Sequence, residues 1–83
     1  MKDFRTLIVW EKAHALVLAI YQATGAFPKQ ELYGITSQIQ RAAVSIPTNI
    51  VEGCGKESDA ELRRYFNIAM GSSSELECLL FLS

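Results

Sequence analysis

The chain contains three stretches in which apolar residues recur every three or four positions, the period of an amphipathic helix. The first stretch predicts a helix over about residues 8–24, and its apolar stripe is Trp10, Ala13, Val17, Ile20 and Thr24. Gly25 and Pro28 follow it directly. Glycine and proline in this order are typical of a helix end.

The connection over residues 26–35 contains Pro28 and Gly34, which interrupt regular structure. Its apolar residues Phe27, Leu32 and Tyr33 predict that the segment is held against one end of the core. A single helical turn near residues 29–33 is compatible with this pattern.

The second stretch predicts a helix over about residues 36–54, starting at Thr36 or at Ser37, which has capping-box spacing to Gln40. Pro47 lies in its middle, where the missing N–H removes one helical hydrogen bond. The apolar register continues past Pro47, so we expect one helix kinked there and ended by Gly53 and Gly55. The apolar stripe of this helix is Ile35, Ile39, Ala42, Ala43, Ile46 and Ile50.

The third stretch predicts a helix over about residues 58–82, with Ser58 and Glu61 as a capping box. Its stripe is Leu62, Phe66, Ala69, Met70, Ser73, Leu76, Glu77 and Leu80. The small residues 71–74 predict a place where another backbone comes close. Residues 79–82 are apolar on every side, which predicts that a neighbour, or an element that the chain lacks, covers them.

Composition indicates one small all-α domain that associates with other chains. The chain has 83 residues, 49% of them apolar, and a net charge of −1. So short and apolar a chain is expected to bury surface against other copies, and its charge creates no global attraction to nucleic acid. The N-terminus lacks a signal-peptide pattern and no apolar run reaches about 20 residues, so we expect no membrane association and a cytoplasmic location.

The side chains that often carry chemistry are sparse. Cys54 and Cys78 are expected to be reduced, about 30 Å apart along the third helix, with Cys78 in the core. His14 is expected on a helix surface or interface. Residues 53–56 lack the spacing of a phosphate loop and fit a helix end better. The aromatic residues are expected to pack in the core; they are Phe4, Trp10, Tyr21, Phe27, Tyr33, Tyr65, Phe66 and Phe81. The sequence therefore predicts no catalytic residues, no metal site, no cofactor and no small-molecule substrate.

Polar side chains also recur at helical spacing on the second helix: Arg41, Ser45, Asn49 and Glu52. One interpretation is a solvated face. The other, which we favour, is a buried network with Ser72 and Glu75 of the third helix, in which Arg41 and Glu75 form the charge pair.

Three basic residues, Lys56, Arg63 and Arg64, lie at the start of the third helix. In a monomer they are expected to form a solvated face. In a ring of copies the same cluster would repeat and contact an RNA backbone, although the net charge is not positive.

The chain contains the blocks LIVWEKAHALVLAIYQAT, FPKQELYGITSQIQRAAVSIPTNIVEGCGK and ELRRYFNIAMGSSSELECLL. They resemble the four-helix-bundle family first named for open reading frames in intervening sequences of 23S ribosomal RNA genes. The matching positions are Trp10, Phe27, Pro28, Tyr33, Gly34, Arg41, Ser45, Pro47, Asn49, Glu52, Gly53, Gly71, Ser72 and Glu75.

The resemblance implies an up-down bundle that assembles as a homopentamer and has no established enzymatic activity. It also implies a second reading, since a related protein is an accessory factor of retroelement reverse transcriptases whose basic ring handles nucleic acid. Two departures stand out. Gln40 replaces a basic residue that often precedes Arg41. Members of the family usually continue into a further helix after the position of Ser83, so this chain is expected to be either a truncated product or a short form whose third helix pairs elsewhere.

Overall fold

The computed structural model describes residues 3–28 and 34–82. A short 3-10 turn, Phe4–Thr6, precedes three α-helices: α1 (Ile8–Thr24), α2 (Ile35–Cys54) and α3 (Asp59–Leu82). No strand occurs in these described ranges. The predicted all-α class and its three helices are confirmed, with each end within one residue of its predicted position. The helical turn predicted near residues 29–33 lies outside the described residues.

The middle helix, α2, organises the molecule. The Nε2 of Gln40 in its first turns donates to the Oγ1 of Thr24 at the end of α1, over 3.0 Å. Gly53 at the end of α2 lies against Leu62 and Tyr65 near the start of α3, and Ser45 is hydrogen-bonded to Ser72 further along α3. Both pairs of neighbouring helices therefore run antiparallel, and α1 and α3 run parallel to each other, each packed on α2. Within the described parts of the chain, no Cα atom of α1 lies within 8 Å of a Cα atom of α3.

The core follows the apolar stripe of α2. Its buried apolar residues are Ala13, Ile20, Ile39, Ala42, Ala43, Ile46, Ile50, Cys54, Ala69, Leu76 and Leu79. The stripe predicted for α2 is buried apart from the half-buried Ile35. The stripe predicted for α3 is only partly correct, because Met70 and Leu80 are exposed and Leu79 is buried instead. The apolar residues of α3 cover two faces of the helix, and α2 covers one of them.

The predicted caps are right for α3 and wrong for α2. The N–H of Glu61 donates to the Oγ of Ser58 over 3.1 Å. By contrast, α2 begins after Gly34 without a side-chain cap. The Oγ of Ser37 instead accepts a hydrogen bond from Arg41. Thr36 is the second residue of α2, so it lies too far along the helix to be its cap.

Gly53 and Gly71 both differ from the roles that the sequence predicted for them. Gly53 lies inside α2, where a Cβ would come 3.0 Å from the Cβ of Tyr65 and 3.3 Å from Leu62. Helices α2 and α3 therefore come close at Gly53, and the predicted small-residue patch meets α2 at Ser72, which is hydrogen-bonded to Ser45. Gly71 was predicted to face another backbone, but a Cβ added there would meet nothing within 4 Å. Pro47 lies inside α2, which continues through it as the register predicts.

Three side chains predicted to be in the core are on the surface. Cys78 is exposed, whereas Cys54 is buried, and no disulfide joins them. Tyr21 and Phe81 are exposed, Phe81 to 84%. All three lie on faces of α1 or α3 that no described element covers.

Among the described residues, no helix is long and apolar enough to cross a membrane.

Candidate interaction surfaces

A small polar cluster lies between α2 and α3. The hydroxyls of Ser45 and Ser72 share a hydrogen bond with 2.7 Å between their oxygens. The Nδ2 of Asn49 donates to the carbonyl oxygen of Ser45 over 2.8 Å and to its Oγ over 2.9 Å. All three side chains are half-buried. Each finds a partner inside the chain, which offsets the loss of water at the helix contact.

The charged members of the predicted network lie outside this cluster. Arg41, Glu52 and Glu75 are exposed. The guanidinium of Arg41 donates to the Oγ of Ser37 over 3.1 Å. Arg41 and Glu75 border one shallow depression with Gln38 and Leu79, but the only ion pair within the described residues joins Arg5 to Asp3. The structure therefore brings together Ser45, Asn49 and Ser72, and leaves Arg41 and Glu75 side by side at the surface.

Two of the three predicted basic residues converge on one aromatic ring. The Nζ of Lys56 lies 5.3 Å from the ring centroid of Tyr65, and the guanidinium carbon of Arg64 lies 5.6 Å from it. Both distances are typical of cation–π contacts. Arg63 is one residue earlier, about 100° around the helix, and faces a different direction. Lys56 and Arg64 thus contact the same ring of Tyr65, and Arg63 points in another direction.

Three carboxylates lie close in sequence to this cationic pair. Glu57 precedes α3, and Asp59 and Glu61 lie in its first turn, where the helix dipole favours negative charge. All three are exposed. The local field at this end of the molecule is therefore mixed in sign, as it is over the whole chain.

His14 belongs to an aromatic stack on α1. Its ring is stacked on Trp10 with centroids 5.1 Å apart, and Phe4 contacts Trp10 edge-on at 5.2 Å. The 3-10 turn that carries Phe4 is held by Asp3, whose Oδ1 accepts from the N–H of Arg5 over 3.1 Å. His14 thus packs against the ring of Trp10 at the surface of α1.

The sequence did not identify an apolar depression between the helices, which we call the α1–α3 trough. Its floor is Ile46 and Ile50 of α2, and its described walls include Val9, Phe66, Met70 and Ser73, around a volume of about 310 Å³. A separate shallow depression on α3 is bordered by Glu77, Leu80 and Phe81. One sequence signal pointed to the trough, since the apolar stripe of α3 is too wide for one contact face.

Metal ligands are not gathered in any of these surfaces. Over residues 3–28 and 34–82, no group of three or more His, Cys, Asp or Glu side chains is placed to hold a metal ion.

Comparison with known proteins gives one family. The sequence model of the family described as 23S rRNA-intervening sequence protein matches residues 5–83. No curated protein matches the chain significantly. The family match covers all three helices, including the polar cluster, the cationic pair and the trough.

Proposed function

The chain belongs to the 23S rRNA-intervening sequence protein family, and from this premise we propose that it is a non-enzymatic helical assembly protein of the cytoplasm. It acts by associating with copies of itself, in the pentameric form that the family resemblance implies. The observation that carries the proposal is the amount of apolar surface left on a small domain.

Large apolar side chains are exposed on α1 and α3. They include Ile8, Val9, Leu18, Met70, Phe81 and Leu82. Monomeric proteins rarely expose contiguous apolar patches of this kind, whereas interfaces between subunits do. The net charge of −1 provides little mutual repulsion to keep copies apart.

The polar side chains support a structural role. The hydroxyls of Ser45 and Ser72 hydrogen-bond each other, and the Oγ of Ser45 also accepts from the Nδ2 of Asn49. His14 is engaged with Trp10 on the helix surface. Nucleophilic catalysis requires a nucleophile and a base within hydrogen-bonding reach. The contacts of these residues instead join helices and cover aromatic surface.

The architecture supports a four-helix arrangement. In an up-down bundle, the first and third helices flank the second and lie across from each other. Helices α1, α2 and α3 have this relation, with α1 and α3 both on α2 and separated from each other. We place them at three corners of a four-helix bundle. The trough is the fourth corner.

The molecular mass in solution tests the proposal. Sedimentation velocity and light scattering over a range of concentrations are expected to give multiples of the 9.2 kDa chain. A stable monomer of 9.2 kDa at every concentration would contradict self-assembly.

A second function, binding of RNA by a ring of copies, is favoured by the gathering of Lys56 and Arg64 on Tyr65. Such a ring would repeat the cations once per copy, and phosphate contacts are additive. The neighbouring carboxylates oppose it, so it ranks second.

Salt-dependent binding to a structured RNA tests this second function. The variant with Lys56→Gln, Arg63→Gln and Arg64→Gln is expected to lose affinity and to flatten the dependence on salt. Arg5→Gln is the matched control, because it removes a cation that lies far from this cluster in the sequence. Absence of binding by the unmodified protein at low salt would reject the RNA function.

A further inference from the structure

Helices α1 and α3 are the two outer helices of a layer whose middle helix is α2, and each has a face turned away from the trough. On α1, Val9 borders the trough. Leu18 follows Val9 by nine residues, which is about 180° around a helix. On α3, Phe66 borders the trough, and Gly71 lies about 140° around the helix from it. Leu18 and Gly71 therefore lie on outward faces at opposite ends of the layer.

Both outward faces have the periodicity of a helix contact, and each has four residues. The α1 edge is Glu11, Ala15, Leu18 and Gln22, and the α3 edge is Arg64, Ile68, Gly71 and Glu75. Both edges advance in steps of four, three and four residues, as positions at the seam of two parallel helices do. All eight residues are exposed. Each edge is therefore accessible to a further helix.

The hydrogen bonds of α2 determine the relative heights of the two edges. Gln40 is bonded to Thr24 of α1, and Ser45 is bonded to Ser72 of α3. Gln40 precedes Ser45 by five residues. On the antiparallel α3, the residue level with Gln40 therefore lies five places beyond Ser72, at Glu77. Thr24 and Glu77 are thus at about the same height on two parallel helices.

Counting back from this height pairs the two edges. Glu11 precedes Thr24 by as many residues as Arg64 precedes Glu77. Glu11 and Arg64 are therefore level with each other along the helix axes. Because both edges advance in the same steps, their remaining members are level in the same order.

Residues at the same height complement each other in charge and in volume. The carboxylate of Glu11 is opposite in charge to the guanidinium of Arg64, and neither group takes part in an ion pair among the described residues. Leu18 is 59% exposed, and it is level with Gly71, where an added Cβ would meet nothing within 4 Å. A large apolar side chain thus faces a position that has no side chain.

We propose that the α1 edge of one copy packs, in parallel, on the α3 edge of the next copy. Glu11 then pairs with Arg64 of the next copy, and Leu18 covers its Gly71. This inference rests on the proposed self-assembly and specifies the contact that produces it.

The contact joins two different surfaces, so each copy uses one edge on each of its two sides. A contact of this kind closes into a ring when successive copies are related by rotation alone, and it builds a filament when each copy is also shifted along the axis. The two edges match at equal height, so no shift is needed. Rings with an odd number of chains, including five, satisfy every edge. The trough lies on another side of each chain and takes no part.

Charge reversal tests the register. We expect Glu11→Arg and Arg64→Glu each to raise the concentration at which half of the chains are assembled by about tenfold or more, because like charges then meet at every contact. The protein with both substitutions is expected to return to within about threefold of the unmodified protein. Arg63→Glu and Glu77→Arg are the matched controls, because they make the same changes of charge at exposed positions outside both edges. Sedimentation velocity over a concentration series measures each variant.

The apolar part of the contact is tested by Leu18→Lys, with Met70→Lys in the trough as its control. Both residues are exposed, so neither change removes a core side chain; circular dichroism checks that helix content is retained. We expect Leu18→Lys to abolish assembly and Met70→Lys to preserve it.

Disulfide trapping tests whether two different edges meet. One protein carries Leu18→Cys and a second carries Gly71→Cys, with Cys78→Ser in both to remove the exposed native thiol. Residues in direct contact across two helices are close enough for a disulfide. We expect a disulfide-linked dimer when the two proteins are mixed and oxidised, and none when either is oxidised alone.

The outcomes separate this inference from the broader assembly proposal. Assembly that Leu18→Lys and the charge reversals leave unchanged overturns the edge contact and leaves self-assembly standing. Cross-linking within one single-cysteine protein, or a particle of only two chains, overturns the head-to-tail arrangement. Loss of assembly in both single reversals without rescue by the double reversal overturns the register. A monomer at every concentration overturns both the edge contact and self-assembly.

Discussion

Helix α3 presents two apolar faces, and they differ in what covers them. The first contacts α2 through Ala69, Leu76 and Leu79, which are buried. The second borders the α1–α3 trough through Met70, which is 70% exposed. The same helical periodicity runs through both faces. Periodicity therefore identifies residues that will be buried somewhere, and the partner helix determines where.

The two faces also differ in their fine structure. At the α2 contact, Gly53 permits close packing and the Ser45–Ser72 hydrogen bond satisfies polar groups that lose water. In the trough, Ser73 remains exposed. A completed contact has its polar groups paired inside the chain, whereas an open one keeps them available for another chain. Four predictions test this difference within one subunit.

The largest effect is expected from removing the centre of the completed contact. Ile39 is 0% exposed, and Ile39→Ala should lower the free energy of unfolding by about 3 kcal/mol, through lost apolar burial and the cavity left behind. Met70→Ala, in the trough, should change it by less than about 0.5 kcal/mol at concentrations where the chain is monomeric. Urea denaturation of both variants measures the difference. Equal losses of unfolding free energy in the two variants would show that the two faces of α3 do not differ in packing.

The same substitution at two glycines should have opposite signs. Gly53→Ala is expected to destabilise the protein by about 1–2 kcal/mol, because the new methyl group would meet the Cβ of Tyr65 at 3.0 Å. Gly71→Ala is expected to stabilise it by up to about 1 kcal/mol, because alanine favours the helix and nothing lies within 4 Å. Thermal unfolding compares the two variants. A stabilising Gly53→Ala would show that α3 can move away without cost.

A smaller effect is expected at the polar cluster. Ser45→Ala and Ser72→Ala each remove one end of a 2.7 Å hydrogen bond. In a double-mutant cycle, we expect a coupling free energy of about 1 kcal/mol, the usual net value of a hydrogen bond in a folded protein. Additive losses from the two single variants would instead indicate that water replaces either hydroxyl freely.

The smallest effect is expected for the two exposed charges beside that cluster. Arg41→Ala and Glu75→Ala should each change the free energy of unfolding by less than about 0.5 kcal/mol and should add, because no ion pair joins these side chains. A coupling as large as that of the serine pair would place Arg41 and Glu75 in one network. The same unfolding assay measures both cycles.

Individual residues show how far the sequence reaches. The repeat of Ile39, Ile46 and Ile50 was sufficient to predict the length and the buried face of α2, because one side of that helix is apolar and the other is polar. On α3 the apolar residues are spread over two faces, so the predicted stripe combined the α2 contact with the trough. Cys78 was misplaced for the same reason.

The candidate interaction surfaces divide in the same way. Spacing alone grouped Ser45, Asn49 and Ser72 correctly, since facing positions on antiparallel helices follow from register. It also grouped Arg63 with Arg64, which point in different directions around α3. Spacing could not show that Tyr65 gathers Lys56 and Arg64, because that contact depends on the path of the chain between α2 and α3.

The sequence by itself determined the helices, their order and the family, because each depends on local periodicity, breaks at glycine and proline, and characteristic residues. Only the tertiary structure decided that α2 and α3 approach closely at Gly53 and that α1 and α3 stand apart with a trough between them. Those features depend on how side-chain volumes set the distances between helices. Such a distance depends on the side chains of two helices together, so it cannot be predicted from the sequence of either helix alone.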